Sequence, residues 1–474
     1  MFPLSDAKLE TADASSSTPS HARDLERRLL RKLDLRMSIT VLLYALNYID
    51  RSNVGSARLG GFEKDLHLQG TQFATVLSIM YVGFIIMQVP SNMILHWLER
   101  PSILIPCSMA LWGVVSALTG ITKNYTGVLL VRSLLGFAEG PFFPGIIFHI
   151  SGWYKRDELA VRTTLVTCGG VLSAGFGALI ASGILSGMQG KLGQAAWRWL
   201  FYIEGGATIL VAICAMFILP DFPHNTRWLT PEERALAISR LAEDGQGRAD
   251  ELGKQTTVQG LRDAVSDWKV WWFSVALTVS YVALSFSVYF PTIVATLGYD
   301  TTITLLLAAP PWVLSTIVAF VMSRYSDKKR KRFIFICLSN ALTALGFIIS
   351  ICTMNTVARY VSVFLMAQIA GGQIILWGWV NNTFTREPAK RAVAIAIISG
   401  FSAIGNIIGS YVWPLQWGPT YRYSSAICLG ALGVSTTMFG MMYLHLKRLN
   451  ERIERNERDG KDIDISHIGF RYLL

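Results

Sequence analysis

Charge is scarce in this chain. Only 16% of its 474 residues are Asp, Glu, Lys or Arg, where soluble domains carry about a quarter, and the mean hydropathy is +0.40. Two or three soluble domains, the default for this length, are thereby excluded. No polar/apolar alternation of period two recurs, which excludes a transmembrane β-barrel. Cysteine is sparse as well. The six residues Cys107, Cys168, Cys214, Cys337, Cys352 and Cys428 all fall inside apolar runs without C-x-x-C or Cys/His pairing. They read as small packing residues and exclude a disulfide framework or structural zinc. No nucleophile elbow, Gly-rich phosphate loop or His/Asp cluster appears, and His67, His96, His149 and His224 are scattered. No enzyme, catalytic residue, cofactor or metal is expected. Residues 1–36 are polar and charged, without the short apolar core of a signal peptide, so the first apolar run is read as the targeting signal.

What the chain does have is apolar runs near 20 residues, the length that crosses a hydrocarbon core of ~30 Å as a helix. Twelve are read, at about 37–56, 72–96, 101–122, 125–150, 162–186, 197–219, 270–292, 301–323, 333–353, 357–382, 391–414 and 421–445. These are called spans 1 to 12 below. The expected fold is an all-α membrane protein of two six-helix halves, 37–220 and 270–446, joined by a central loop, 221–269. That loop contains "LTPEER", with Thr230 as N-cap, Pro231 at the first helical position and Glu233 reaching back. Ala235, Leu236, Ile238 and Leu241 then form one apolar face, read as lying on the membrane surface. Residues 1–20 lack the apolar content to bury a core, and 21–36 form a basic amphipathic helix with Leu25, Leu29 and Leu33 toward lipid. The tail, 447–474, begins charged and helical. Spans 5 and 11 align at an offset of 230, Gly170 with Gly400 and Gly175 with Gly405, as an internal repeat of the kind secondary transporters use.

A net charge of +11 first points to nucleic acid, but its distribution does not. With the N-terminus inside, 34 of the 43 Lys and Arg residues lie on the cytoplasmic side. Seven lie outside (Arg58, Lys64, Lys123, Lys191, Arg198, Arg359 and Arg422), and Arg51 and Arg132 lie within spans. This is the positive-inside asymmetry, and it places both termini in the cytosol. Asn124 begins an N-x-T sequon in a short outer loop, a poor glycosylation acceptor.

Ionised residues at mid-bilayer cost roughly 2.5–3.5 kcal/mol each on insertion scales, and few spans accept them. Span 1 carries Asp50 and Arg51, span 4 carries Arg132 and Glu139, and span 6 carries Glu204. Arg132 and Glu139 are seven apart and share a helix face. Tyr44, Asn47 and Arg51 form one stripe on span 1, with Asp50 about 100° away. Adjacent residues cannot pair, so Asp50 and Arg51 need partners on another helix. Span 1 runs outward and places Asp50 about 20 Å from the cytoplasmic edge, at ~1.5 Å per residue. Span 4 runs inward, with Arg132 at that level and Glu139 deeper. Depth therefore pairs Asp50 with Arg132 and Arg51 with Glu139.

The segments "LNYIDRSNVGSARLGGFEKDL", "RSLLGFAEGPFFPGI" and "WRWLFYIEG" resemble the anion:cation symporter family of the major facilitator superfamily, in particular its fungal allantoate and nicotinate permease branch. The resemblance runs over about 30–450. Arg132-x-x-x-Gly136 is similar to the superfamily's fourth-helix motif, and "SRYSDKKRKR" resembles its acidic-plus-basic gating loop, with Asp327 in the acidic place. The matching N-half loop, "HWLERPS", lacks a clean acidic residue. The resemblance implies a proton-coupled carrier of a small organic anion working by alternating access, a functional monomer in the plasma membrane. It assigns proton coupling to Asp50 and Glu139, and anion binding to Arg51 and Arg132, with Tyr44 and Asn47 on the same stripe. Gln373, Trp377 and Asn406 are placed toward the cavity from the C-half. A proton-linked exporter of a drug or secondary metabolite shares this fold and is the rival reading.

The topology is directly testable. A cysteine introduced beside Lys328 is expected to react only with reagents that reach the cytosol. Labelling by an impermeant reagent from outside would overturn the orientation.

Overall fold

The computed structural model describes residues 19–98, 100–226, 228–243, 257–384, 388–458 and 471–473. The readings of residues 1–18 and of the tail 459–470 lie outside them. Helices occupy all twelve predicted spans, and the described residues contain no strand. Among the described residues nine helices are individually long and apolar enough to cross a membrane, and Gln72–Gln88 adds a shorter apolar stretch. The N-termini of several spans are written in the sequence as capping residues. Asn124 accepts from the Gly127 N–H at 2.8 Å, Asp267 from Lys269 at 3.0 Å, and Asn355 from Ala358 at 3.1 Å. Each satisfies an amide that the first helical turn leaves without a partner. The sequon asparagine is thus a helix cap.

Three spans are broken. Span 4 divides into Tyr125–Glu139 and Phe142–Ser151, directly after Glu139, because Pro141 has no N–H to continue the ladder. Span 7 runs as Trp268–Leu284, a 3-10 turn Ser285–Ser287 and a short helix Phe290–Ala295 carrying Pro291. Span 10 divides into Thr356–Ala367 and Ile369–Thr383. Interrupted helices at membrane depth are stable only where protein or a cavity covers the freed backbone groups.

Apolar side chains cover the outside and small residues line the helix contacts, as expected where lipid is as apolar as leucine. Phe217 is 81% exposed and Leu130 62%. At Gly136 a Cβ would lie 1.9 Å from the Met80 carbonyl oxygen, so spans 2 and 4 meet backbone to backbone. Gly170 packs on Tyr44 of span 1 and Gly405 on Thr278 and Tyr281 of span 7, while Gly400 faces nothing within 4 Å.

Spans 5 and 8, 2 and 11, and 1 and 7 join the halves. At the end remote from the N-terminal helix, the Tyr411 hydroxyl bonds Thr75 at 3.1 Å and Ser78 at 3.2 Å, and Ser182 donates to the Thr302 carbonyl at 3.1 Å. At the opposite end Thr164 and Ser323 approach to 3.3 Å.

The N-terminal helix, Pro19–Met37, corrects the sequence reading. Leu29 and Leu33 are 1% exposed and pack into the N-half instead of lipid. The Thr230–Glu233 capping box forms as expected, at 3.1 and 3.2 Å. Its helix, Pro231–Glu243, nevertheless turns Ala237 and Arg240 inward and leaves Ile238 46% exposed. Ion pairs decide this orientation. Lys32 meets Glu233 at 2.5 Å, Arg240 meets Glu26 at 2.7 Å and Glu158 at 2.5 Å, and Arg162 meets Asp34 at 3.0 Å. Burial acts to raise the Glu233 carboxyl, and the hydrogen bonds from Lys32 and Thr230 outweigh it, holding the group below the usual carboxylate range.

Gly136→Ala is expected to destabilise the fold by about 1–3 kcal/mol, the usual cost of forcing a methyl into a filled contact. Gly400→Ala, in open space, should change nothing. Thermal midpoints of the two purified variants check the contrast.

Candidate functional site

Asp50 and Arg51 are neighbours on the helix Ile39–Leu59, and the ~100° between successive positions sends them to different partners. Arg51 Nε donates to Glu139 Oε2 at 2.5 Å, with Glu139 fully buried. The expected pairing of span 1 with the lower half of span 4 is therefore made.

The other expected pairing is not. The Asp50 carboxylate accepts from Trp112 Nε1 at 3.0 Å, Ser116 Oγ at 3.2 Å and Thr208 Oγ1 at 3.1 Å. It faces the seam between spans 3 and 6, and three neutral donors satisfy it. Arg132 is 2% exposed, lies 5.5 Å over the Phe201 ring, and its Nε and Nη2 have no hydrogen-bond partner. Depth ranked these two residues as partners, but azimuth separates them. Glu139 Oε1 is also without a partner.

A cleft between the halves is lined by Arg51, Leu77, Met80, Tyr81, Arg132, Ser285, Val288, Tyr289, Asn406 and Ser410. Spans 1, 2 and 4 form one wall, spans 7 and 11 the other. The break in span 7 shapes the second wall. Trp413 Nε1 donates to Ser285 Oγ at 3.0 Å and the Tyr289 hydroxyl to the Ser410 carbonyl at 2.6 Å. Both bonds tie the interrupted segment to span 11. Two guanidiniums and several hydroxyls thus converge on one space, an arrangement suited to an anion with hydrogen-bonding oxygens.

Of the residues singled out in the sequence, Arg51, Arg132 and Asn406 line this cleft, and Glu139 reaches it through Arg51. Tyr44 does not; it is buried in the N-half, stacked at 6.4 Å on Phe142. Asn47 is 2% exposed with Nδ2 unpartnered. Gln373 Nε2 donates to Ser280 Oγ at 2.7 Å and Trp377 Nε1 to the Tyr281 hydroxyl at 3.2 Å. Both therefore join span 10 to span 7 outside the lining. Asp327 pairs with Arg332 at 2.5 Å at the end of the helix Thr301–Lys329. In the N-half, Asp221 from the end of span 6 accepts from Ser102 N and Oγ at 3.3 and 2.6 Å. An acid thus reaches the start of span 3 from elsewhere in the chain. Sequence reasoning missed Tyr81, Ser285, Tyr289, Trp112 and Thr208. A break signal was present in Pro291, and a buried tryptophan N–H usually takes an acceptor.

Comparison with known proteins gives this site its frame. Residues 40–410 match the Major Facilitator Superfamily. The chain belongs to that superfamily. Among curated relatives it is 30% identical to the MFS-type transporter cnsO of Penicillium expansum, over 94% of this chain and 87% of that one. It is also 30% identical to the MFS-type transporter efuF of Hormonema carpetanum, over 91% and 88%. Among solved structures it is similar to a bacterial homolog of the human lysosomal transporter Spinster in an inward-facing, occupied conformation, with TM-score 0.63, 15% identity and coverage of 85% and 95%. It is likewise similar to a D-xylose-proton symporter, with TM-score 0.62, 17% identity and coverage of 86% and 97%. The chain is a multi-pass major facilitator transporter, not an enzyme, and the cleft between its halves is the candidate substrate site.

In this major facilitator chain Asp50→Asn replaces one acceptor oxygen by a donor facing Trp112, Ser116 and Thr208. Loss of a buried charge-assisted bond is worth about 1.5–3 kcal/mol. A thermal midpoint clearly below wild type is expected. A midpoint equal to wild type would show that the three donors do not bear on the fold.

Proposed function

We propose that the chain is a proton-linked symporter of a small organic anion carrying at least one carboxylate. It works as a monomer in the plasma membrane with both termini in the cytosol. The observation that carries this reading is Arg132, a buried guanidinium lining the cleft whose Nε and Nη2 have no partner. Arginine keeps its charge at any physiological pH and offers a planar fork to a carboxylate. A cationic substrate would meet two guanidiniums in a low-dielectric space and be repelled.

Coupling follows from the Arg51–Glu139 pair. A proton bound to Glu139 removes the charge that holds Arg51, and the freed guanidinium then joins Arg132 around the substrate carboxylate. Proton and substrate are linked through this shared charge. Residues 37–220 and 270–446 act as the two halves that rock about the cleft, with Asp327 and its basic neighbours restraining the loop between spans 8 and 9.

Purified protein in vesicles with an acidic exterior, offered labelled nicotinate and allantoate as first probes of a small-carboxylate series, tests the reading. Acid-driven accumulation of at least one acid is expected, without uptake of its ester or amide. Arg132→Lys and Arg51→Lys should lower uptake about tenfold or more, since each keeps the charge but loses the fork. Glu139→Gln should abolish accumulation while substrate exchange persists. Equal carriage of acid and ester, or normal transport by Arg51→Lys, would refute the anion site and favour export of a neutral metabolite.

A further inference from the structure

The buried face of span 6 is an apolar stripe with one acid in it. Trp197, Leu200, Phe201, Glu204, Gly205, Thr208, Ala212 and Ala215 are its buried residues, spaced as one helix face. Glu204 is 4% exposed, and neither carboxyl oxygen has a hydrogen-bond partner. Its position is fixed by Thr208, one turn further along the helix, whose hydroxyl donates to Asp50 Oδ2 at 3.1 Å. Glu204 therefore sits about one turn, ~5.4 Å, from the level of Asp50 on the same seam. It lies toward the end of the bundle where span 6 begins. The helices packed on span 6 are spans 1, 3 and 5. Spans 3 and 5 present no charged group to it within the membrane. Span 1 presents Asp50, the charged group that acts on Glu204. Span 4 adds Arg132, which reaches only as far as the Phe201 ring.

A carboxylate in that place would be a second negative charge beside Asp50 with no donor and no cation, the costliest way to bury an acid. A purely architectural side chain would be bonded, as Asp50 is. Glu204 does not line the cleft, so the seam behind span 1 is separate from the space assigned to substrate.

We propose that Glu204 is a further proton-binding residue, which exchanges a proton with Asp50 along the seam between spans 1, 3 and 6, apart from the substrate cleft. The proposal rests on the proton-linked reading above. In the exchange the O–H bond of Glu204 breaks and an O–H bond forms at Asp50 Oδ2, displacing the hydrogen bond from Thr208. The pair holds one proton and one negative charge before and after. Because no hydrogen bond joins the two acids in this conformation, the transfer requires a side-chain or helix movement, which ties it to the transport cycle.

Infrared difference spectroscopy of the full chain in lipid bilayers, between acid and alkaline pH and with no substrate present, tests the proposal. A reversible carboxylic C=O component is expected in the wild-type difference spectrum that is missing in Glu204→Gln and still present in Glu139→Gln, where only the separate contribution of Glu139 is lost. Asp50→Asn, which removes the facing negative charge, should move the titration of that band to lower pH. A structural acid would keep its proton throughout and ignore Asp50. A Glu204→Gln spectrum identical to wild type, or a Glu204 band that neither titrates nor responds to Asp50→Asn, would overturn the proposal. Glu204→Asp, expected to restore a shifted band, serves if the glutamine variant does not fold. Failure here with acid-driven carboxylate uptake intact would sink only this inference. Absence of such uptake with the band present would sink the symport reading instead.

Discussion

The centre of this molecule depends on holding a half-buried arginine against a fully buried acid. The Arg51–Glu139 contact, 2.5 Å long with the acid fully buried, joins span 1 to span 4 inside the N-half. An ion pair in such surroundings is a weak source of stability against apolar packing, because both ions give up their hydration. What it supplies is a mutual charge balance for the two groups. The surrounding helices accommodate that cost by close backbone packing, as where Gly136 meets the Met80 carbonyl, so that the charged group is held by dense structure and not by a large polar network.

The same economy explains why the two acids and two arginines do not form one neutral cluster. Asp50 is served by three uncharged donors from spans 3 and 6. That leaves Arg132 over an aromatic face, where a ring quadrupole stabilises a guanidinium without neutralising it. One arginine is thus occupied and the other open, and both line the cleft. The broken span 7 completes that cleft from the other half. Its interrupted turn places Ser285 and Tyr289 opposite the guanidiniums, while Trp413 and the Ser410 carbonyl bond their side-chain hydroxyls.

The N-terminal helix and the central-loop helix form a second centre of order. The N-terminal helix, the central-loop helix and the segment before span 5 are cross-linked by ion pairs through Glu233, Arg240 and Asp34. All three elements pack on the N-half. Leu29 and Leu33 could have faced lipid on amphipathicity alone. A protein surface won because the basic side chains around them find acids on neighbouring helices, a complementarity that a bilayer surface does not match residue by residue.

Local pattern alone determined a good deal. Twelve apolar runs, their capping residues and the Thr230–Glu233 capping box are properties of short segments, since hydrophobic length and first-turn hydrogen bonding do not need a partner. The Arg51–Glu139 pair was legible because depth and helix face, both computable from spacing, happened to suffice. Tertiary structure alone decided the rest: that Asp50 turns to Trp112, Ser116 and Thr208, that Gly405 packs against span 7 while Gly400 stands in open space, that Gln373 and Trp377 bond span 7, and that Tyr81 and Tyr289 line the cleft. The physical reason is rotational. A sequence states which residues share a helix face and how deep they lie, but the direction each face points is set by which helices pack against it.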